Sequence, residues 1–263
     1  MNIGIVQSSP VFGEVESNLS DCFDLMSSHL ADLWVLPELF ATGYQFLSAD
    51  ETRALAEPIP GGMTTQALTA YAAENECFVV AGLPELDGDR VYNASVLVGP
   101  DGFLARYRKI HLFYEEKIYF APGNLPFAVI DIGLAKVGMM VCFDHLFPES
   151  ARSLALQGAD VICHPANLVL PDLAQRTMSI RALENGVFTA TANRVGTEAR
   201  GGEALVYTGQ SQVIRPNGDP LVRLSQENVE VAVVTADLLE ARNKAITKHN
   251  DKLTDRRTDM YYQ

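Results

Sequence analysis

The stretch Ala31-Asp-Leu-Trp-Val-Leu-Pro37-Glu38 is an apolar run of strand length that ends in a proline and a carboxylate. A second stretch, Ala159-Asp-Val-Ile-Cys-His-Pro165-Ala166, repeats this plan later in the chain. In each case a helical pattern ends and a buried strand follows, with proline as its last residue. The similarity predicts two related β–α units, and therefore a pseudo-symmetric pair of sheets with helices on their outer faces.

Apolar runs alternate with longer helical patterns along most of the chain, which is typical of a layered α/β fold. The predicted strands are residues 2–7, 33–36, 78–82, 91–98, 103–108, 137–141, 161–164, 188–192, 208–214 and 229–235. The predicted helices are residues 17–31, 63–74, 148–157 and 174–184. Because no linker or low-complexity tract interrupts this pattern, we predict one domain over residues 1–263, with a C-terminal tail at about 245–263.

The composition is that of a globular protein with a sizeable core. Of 263 residues, 48% are hydrophobic and 20% are charged, which excludes intrinsic disorder, a collagen-like chain and a disulfide scaffold. The chain carries 33 acidic against 20 basic side chains, a formal net charge of −13. Binding to nucleic acid requires clustered lysine and arginine, so we expect no nucleic-acid partner.

The cysteines and the N-terminus bear on where the protein works. The four cysteines are widely spaced and form no C-x-x-C pair, which argues against a zinc site and a disulfide framework. The first residues have no basic region or cleavage-like site, and no stretch approaches the roughly 18 apolar residues of a spanning helix. We therefore expect a cytoplasmic protein with free thiols and no membrane contact.

Three residues with chemical potential follow predicted strands, namely Glu38, Lys109 and Cys142. Taken singly, each has a structural explanation, because Cys142 could be a core cysteine and the other two could be solvated loop residues. Taken together, they supply a thiol nucleophile, a base to accept its proton and a cation to stabilise an oxyanion. A helix beginning near Pro148 would also lower the pKa of the Cys142 thiol.

Three ordered sequence blocks contain these residues. They are Pro37-Glu38-Leu39-Phe40 with Gly43-Tyr44, then Tyr107-Arg108-Lys109-Ile110-His111-Leu112-Phe113, then Val141-Cys142-Phe143-Asp144. Together they resemble the signature blocks of the nitrilase superfamily of carbon–nitrogen hydrolases. The resemblance runs from Asn2 to about Lys244 and includes Gly158-Ala-Asp, His164-Pro165 and Arg181-Ala-Leu-Glu-Asn185.

This resemblance implies a four-layer αββα sandwich of two mixed sheets, usually paired into a homodimer, with a Glu-Lys-Cys triad and no metal or organic cofactor. Glu38 would be the general base for Cys142, and Lys109 with the backbone N–H of Phe143 would stabilise the tetrahedral intermediate. The family also has a second glutamate shortly after the lysine. The pattern Glu116-Lys117-Ile-Tyr-Phe120-Ala-Pro122-Gly123 favours Glu116 over Glu115 for it.

The implied activity is that of a thiol hydrolase cleaving non-peptide C–N bonds. Typical nitrilases carry Cys-Trp-Glu where this chain has Cys142-Phe143-Asp144, so we favour a small aliphatic primary amide, converted to its acid and ammonia. The alternatives are hydrolysis of small nitriles, or of N-carbamoyl amides, although the Cys-Asn-Asp-Arg typical of carbamoylases is absent. Five residues are candidates for contact with substrate: Tyr44, Tyr114, Phe143, His145 and Asn167.

Two other classes of function fit the same blocks. A non-catalytic binding protein on this fold would be expected to lack Glu38, Lys109 or Cys142, and all three are present. Glutamine-dependent delivery of ammonia to a synthetase would need a fused or partner domain.

The sequence also offers evidence on the predicted homodimer. The stretch Arg256-Arg257-Thr-Asp-Met-Tyr-Tyr262 is rich in basic and aromatic side chains, which are enriched at interfaces, although packing against its own subunit also explains it.

Overall fold

The framework of the molecule is a pair of six-stranded mixed sheets, seen in a computed structural model that describes residues 1–261. The first sheet contains, in spatial order, β14 (Glu230–Thr235), β1 (Asn2–Gln7), β2 (Leu33–Val35), β3 (Phe78–Asp87), β4 (Arg90–Gly99) and β5 (Gly102–Arg108). The second contains β13 (Pro220–Arg223), β12 (Gln212–Ile214), β9 (Phe188–Ala192), β8 (Val161–Pro165), β7 (Lys136–Met139) and β6 (Val129–Asp131). Two small hairpins pair β10 (Thr197–Glu198) with β11 (Leu205–Val206) and β15 (Ala245–Thr247) with β16 (Asn250–Asp251).

The two sheets have the same plan. Each has three parallel strands at its centre, β1–β2–β3 in the first and β7–β8–β9 in the second. Each adds one antiparallel strand on one side, β14 or β6, and two on the other, β4 and β5 or β12 and β13. The two similar sequence stretches are the middle strands β2 and β8, so the predicted pseudo-symmetric pair of sheets is confirmed.

Helices cover the outer face of each sheet. The helices are α1 (Val15–Ser27), α2 (Ala49–Leu55), α3 (Met63–Glu74), α4 (Glu116–Tyr119), α5 (Pro148–Leu156), α6 (Leu173–Asn185) and α7 (Leu239–Arg242), with 3-10 turns at Cys142–Leu146 and Thr258–Met260. Apolar side chains of α1 and α3 pack on the first sheet, and those of α5 and α6 pack on the second. A third cluster lies between the sheets. The predicted four-layer αββα sandwich is therefore confirmed.

The middle strands show why their sequences are almost continuously apolar. In β2, Leu33 and Val35 enter the core between the sheets, whereas Trp34 packs under the first helical layer. In β8, Val161 and Cys163 face the other sheet while the intervening residue packs toward α5 and α6. Because side chains alternate across a strand, a strand covered on both faces needs apolar residues at most positions, and a polar one such as His164 must be hydrogen-bonded.

Several element boundaries differ from the sequence predictions. Helix α1 ends at Ser27, β7 ends at Met139, and β12 begins only at Gln212. The elements that the sequence did not reveal are short or partly exposed: β6, β10, β11, β13, β15, β16, α2, α4 and α7. Their hydrophobic signal is weak because only part of each element contributes to a core.

The C-terminal segment, from Lys244 onward, packs against α6, one of the two helices that cover the second sheet. The Lys244 ammonium donates to the carbonyl oxygens of Asn185 and Gly186 at 3.2 and 2.6 Å, and that of Lys252 donates to Leu183 at 2.7 Å. These bonds satisfy carbonyls at the end of α6, where the helix dipole favours a cation. Tyr262, part of the stretch considered for a dimer interface, lies outside the described residues.

Within residues 1–261, no helix is both long enough and apolar enough to cross a membrane. The longest helices, α1 and α6, have 13 residues each. A helix needs roughly 20 residues to span the hydrocarbon core of a bilayer, so both fall short of that length.

Candidate active site

The predicted catalytic residues meet at one edge of the sandwich, between the two sheets. Glu38 follows β2, Lys109 follows β5, and Cys142 lies beyond the end of β7. All three side chains are buried. Glu38 and Cys142 lie beyond the carboxyl ends of parallel strands, which is the usual place for functional groups in α/β folds, and the edge strand β5 brings Lys109 to them.

Lys109 bridges two carboxylates in this site. Its ammonium donates to Oε1 of Glu38 at 2.8 Å and to Oε1 of Glu116 at 2.7 Å, and the Lys109 and Glu38 side chains are completely buried. Glu116 therefore joins the two predicted residues, as the sequence pattern favoured, whereas Glu115 is only half-buried and forms no ion pair with Lys109 among the described residues. A buried charge requires such partners, since an unpaired one would be costly.

Each carboxylate also has a neutral partner. Oε1 of Glu38 accepts from the side-chain amide of Asn93 at 2.6 Å, and Oε1 of Glu116 accepts from the Tyr44 hydroxyl at 2.7 Å. The other oxygen of Glu38, Oε2, is buried and has no hydrogen-bond partner among the described residues. A carboxylate oxygen left in this state is free to accept a proton from a neighbouring group.

Burial and charge shift the proton affinities of the group. Burial lowers the pKa of Lys109, but the carboxylates of Glu116 and Glu38 outweigh this effect and hold it above its ordinary range. Burial raises the pKa of Glu116 to about 7, although Lys109 lowers it. Lys109 is therefore a cation at neutral pH, and Glu116 titrates near neutral pH.

Cys142 has an unusual backbone conformation and environment. It opens a 3-10 turn with φ of +43°, in the left-handed region that favours glycine, and its Sγ lies 3.9 Å from the carbonyl oxygen of Asn167. Burial, and then the charge of Glu38, raise its pKa well above the usual range for a thiol. The expectation that a helix N-terminus lowers this pKa is therefore wrong, because desolvation and a neighbouring carboxylate oppose the thiolate.

A narrow pocket opens on Cys142. It encloses about 20 Å³ and is lined by Phe113, Cys142, Phe143, His145, Asn167, Leu168, Val169, Leu170, Leu173 and Ala174. The lining contains no lysine, arginine, aspartate or glutamate. Three of the five residues predicted to contact substrate, Phe143, His145 and Asn167, are thus placed on this pocket.

The other two predicted substrate residues lie to one side. Tyr44 and Tyr114 line a separate crevice next to Glu116, and Tyr114 is 58% exposed. The side-chain amide of Asn167 donates to the backbone carbonyl of Glu38 at 2.9 Å, so it ties the two sheets together beside the site. The structure therefore places Tyr44 next to the glutamate pair rather than on the pocket beside the thiol.

Two further residues that the sequence analysis did not single out belong to this region. Asn93 lies within the mostly apolar strand β4, and its side chain binds Glu38. The sequence could have indicated it, because a polar residue inside a buried strand needs a hydrogen-bond partner. Asp144 is fully buried, and its carboxylate accepts from the Tyr107 hydroxyl at 2.8 Å, the backbone N–H of Val141 at 2.9 Å and the backbone N–H of His111 at 3.2 Å. Asp144 thereby links the loop that carries Lys109 to the turn that carries Cys142.

The arrangement of the side chains in this region also bears on metal binding. Across the part of the chain that the structure describes, no group of three or more histidine, cysteine, aspartate or glutamate side chains is arranged to hold a metal ion. The side chains of the site are instead engaged with one another, through the Lys109 ion pairs and the hydrogen bonds from Asn93 and Tyr44.

The fold and site together define an αββα sandwich with a cysteine, a lysine and two glutamates buried at one edge. Residues 2–245 match the carbon–nitrogen hydrolase family. The chain therefore belongs to the carbon–nitrogen hydrolases of the nitrilase superfamily, and the prediction from the three sequence blocks is confirmed.

Individual relatives include both amidases and nitrilases. The chain is 49% identical to a protein named nitrilase from Pyrococcus abyssi, with all of both chains covered. It is 34% identical to an (R)-stereoselective amidase from a Pseudomonas species, over 98% of this chain and 92% of that one. Among solved structures, an amidase from a Nesterenkonia species superposes with a TM-score of 0.81 and 29% identity, over 98% of this chain and 94% of that one. A variant of the Nesterenkonia amidase carries the acetamide moiety of fluoroacetamide on its active-site cysteine.

Proposed function

We propose that this carbon–nitrogen hydrolase converts small, uncharged primary amides to the carboxylic acid and ammonia through a thioester on Cys142. The observation that carries the proposal is the Oε2 atom of Glu38, a buried carboxylate oxygen with no partner, in a cluster where Lys109 already binds Oε1. An unpaired carboxylate oxygen in the interior destabilises the folded protein. Its presence is explained if Oε2 of Glu38 accepts the proton of the Cys142 thiol during the reaction.

The first step is attack of the thiol on the amide carbon. Because the pKa of Cys142 is raised by burial and by Glu38, the resting nucleophile is the neutral thiol. Glu38 accepts the thiol proton as Sγ bonds to the carbonyl carbon, and the carbonyl oxygen becomes an oxyanion. The ammonium of Lys109 and the backbone N–H of Phe143 stabilise that charge, which exists only after attack.

The remaining steps return every group to its starting state. Glu38 gives its proton to the amide nitrogen, the C–N bond breaks, ammonia leaves and the thioester remains. Glu38 then accepts a proton from water as the water oxygen attacks the thioester carbon. When the C–S bond breaks, the acid leaves and the proton returns to the sulfur of Cys142. Glu116 holds the other side of Lys109 during this cycle.

The pocket lining supports an uncharged substrate. A carboxylate or ammonium on the acyl group would be transferred from water into a pocket without an opposite charge, which is costly. The apolar side chains of Phe113, Leu168 and Leu173 in this narrow pocket suit a short alkyl group. The same features count against N-carbamoyl amino acids, which carry a carboxylate.

Hydrolysis of small nitriles is the second candidate. It is supported by the 49% identity to the protein named nitrilase from Pyrococcus abyssi, which extends over both complete chains. In that reaction Cys142 would add to the nitrile carbon to form a thioimidate, and water would convert it to the same thioester with release of ammonia. Both candidates therefore use the same residues, and only a substrate panel separates them.

The test is ammonia release from matched amides, nitriles and N-carbamoyl amino acids. We expect turnover of short amides, and a loss of at least about 10³-fold in kcat in Cys142→Ala because the nucleophile is gone. The matched control is Cys163→Ala, which removes a buried thiol in β8 and is expected to keep kcat within about threefold. Turnover of nitriles without amides would replace the first candidate by the second, and an active Cys142→Ala variant would refute the thioester.

We also propose a homodimer in the cytoplasm. Outer helices α5 and α6 expose the apolar side chains Leu156, Ile180 and Leu183, which a second subunit would cover. Sedimentation at micromolar concentration is expected to give the mass of two chains, and the mass of one chain would contradict the dimer.

The proposed cytoplasmic location is supported by the four cysteines, which are all free thiols, as expected in a reducing compartment.

A further inference from the structure

The peptide that joins Cys142 to Phe143 is held by a histidine from the neighbouring strand. Nε2 of His164, on β8, lies 2.8 Å from the carbonyl oxygen of Cys142. His164 is completely buried, and the residue whose carbonyl it binds has the left-handed φ of +43°. Such a backbone conformation persists only when its surroundings hold it in place, and this hydrogen bond is one of the contacts that do so.

The proton positions in this contact follow from chemistry. A carbonyl oxygen can only accept, so Nε2 of His164 must carry the hydrogen. Burial lowers the pKa of His164 to about 4, so the ring holds a single proton at neutral pH and its Nδ1 is an acceptor. The Thr191 hydroxyl, 3.0 Å away on the paired strand β9, donates to Nδ1. Thr191 therefore stabilises the tautomer in which Nε2 is the donor.

The orientation of one end of a peptide determines the orientation of the other. The bond between Cys142 and Phe143 is trans, since the cis bond among the described residues is Ile59-Pro60. In a planar trans peptide the C=O and N–H bonds point in opposite directions. The hydrogen bond to the Cys142 carbonyl thus directs the Phe143 N–H away from His164. It also polarises the peptide, which strengthens that N–H as a donor.

We infer that His164 is a positioning residue for the oxyanion site, acting through the Cys142 carbonyl to orient and polarise the Phe143 N–H. This inference rests on the proposed function, in which that N–H binds the developing oxyanion. A residue that only fills the core would not need a donor at this place, and an apolar side chain would avoid the cost of burying an imidazole. The structure thus predicts an effect of His164 that appears only in reactions that form an oxyanion.

The test compares two reactions of the same sulfur in His164→Leu. Amide hydrolysis forms a tetrahedral oxyanion, whereas alkylation by iodoethane, which has no carbonyl group, displaces iodide at a saturated carbon and forms none. We expect kcat for the best amide to fall by about 10²-fold, the size of effect seen when one oxyanion donor is lost. We expect the alkylation rate of Cys142 to stay within about threefold of wild type, because the thiol and Glu38 are unchanged.

Two variants serve as controls. His164→Gln keeps a donor that can reach the Cys142 carbonyl, and it is expected to recover at least about tenfold of the lost kcat. Thr189→Val changes another buried hydroxyl of β9, one that has no hydrogen-bond partner among the described residues, and it is expected to leave kcat within about threefold of wild type. Thermal unfolding of each variant shows whether the fold is intact.

The outcomes separate the inference from the function on which it rests. If kcat and the alkylation rate of Cys142 fall by the same factor in His164→Leu, His164 supports the structure of the whole site and not the oxyanion in particular. If kcat is unchanged in this variant, His164 has no role in the reaction. Either result refutes the inference while leaving the wild-type activity intact. A wild-type chain that hydrolyses neither amides nor nitriles would instead refute the proposed function, and the inference with it.

Discussion

Arg108 and Lys109 are consecutive residues at the end of β5, and each places a buried cation between two carboxylates. The Arg108 guanidinium forms a bidentate pair with Glu85 at 2.7 Å, donates to Asp87 at 2.7 Å and stacks over the Tyr92 ring at 4.0 Å. The Lys109 ammonium contacts one oxygen of Glu38 and one of Glu116. Each cluster thus has a buried cation bound to two carboxylates, although Asp87 reaches the surface, and the clusters differ in how completely the buried carboxylate oxygens are hydrogen-bonded.

The difference lies in the atoms left without partners. Both oxygens of Glu85 are bound by Arg108, and one of them is also bound by Arg106. Oε2 of Glu38 has no partner among the described residues. A planar guanidinium matches both oxygens of a carboxylate, whereas an ammonium is a point charge and can leave one oxygen unbound. The first arrangement is suited to holding a fold together, and the second leaves a site for proton transfer.

The strongest test of this comparison removes one charge from each cluster with isosteric variants. Glu38→Gln is expected to lower kcat by about 10³-fold, because the amide cannot accept the thiol proton. Glu85→Gln is expected to lower the free energy of unfolding by about 3 kcal/mol, because two arginines lose their partner, with kcat little changed. Steady-state kinetics and urea unfolding of both variants check this. A large loss of stability in Glu38→Gln with unchanged kcat would reverse the assignment.

A second test uses the titration of Glu116. Its pKa is raised from 4.5 to about 7, mainly by burial, so the native state holds this proton more tightly than the unfolded chain. The resulting stabilisation is complete below pH 4.5 and is lost as the pH rises through about 7. The unfolding free energy of wild type relative to Glu116→Gln should therefore fall by on the order of 3 kcal/mol over that interval.

Urea unfolding of wild type and Glu116→Gln across this pH interval measures that difference. The same measurements on Glu85→Gln provide the comparison from the other cluster. If the difference in unfolding free energy between wild type and Glu116→Gln does not change with pH, the pKa of Glu116 is the same in the folded and the unfolded chain, and the prediction is wrong.

The smallest expected effect concerns the neutral partners. Tyr44→Phe removes the hydroxyl that donates to Glu116, and we expect kcat/KM to fall by about fivefold to tenfold, the net worth of one ordinary hydrogen bond. Tyr92→Phe keeps the ring beneath Arg108, and we expect kcat/KM to be unchanged. If kcat/KM falls equally in Tyr44→Phe and Tyr92→Phe, the Lys109 cluster matters no more for activity than the Arg108 cluster, which would contradict the comparison.

Much of this architecture is readable in the sequence because it depends on local patterns. The two runs ending at Pro37 and Pro165 are mostly apolar, with His164 as the polar residue in β8, since β2 and β8 are covered on both faces, and this pattern predicts two related sheets. Short edge strands such as β6 and β13 are only partly buried, so their sequences carry little signal. The blocks around Glu38, Lys109 and Cys142 could likewise be found, because each lies in a compact motif.

Other features depend on contacts between distant segments, which no local pattern records. The sequence alone determined a layered α/β chain with a thiol, an ammonium and carboxylates at strand ends. Tertiary structure decided that Lys109 binds Glu38 and Glu116 at once, that Asn93 supports Glu38, and that desolvation raises the pKa of Cys142. The physical reason is that burial and charge pairing are properties of the space between two sheets, and that space exists only once the chain has folded.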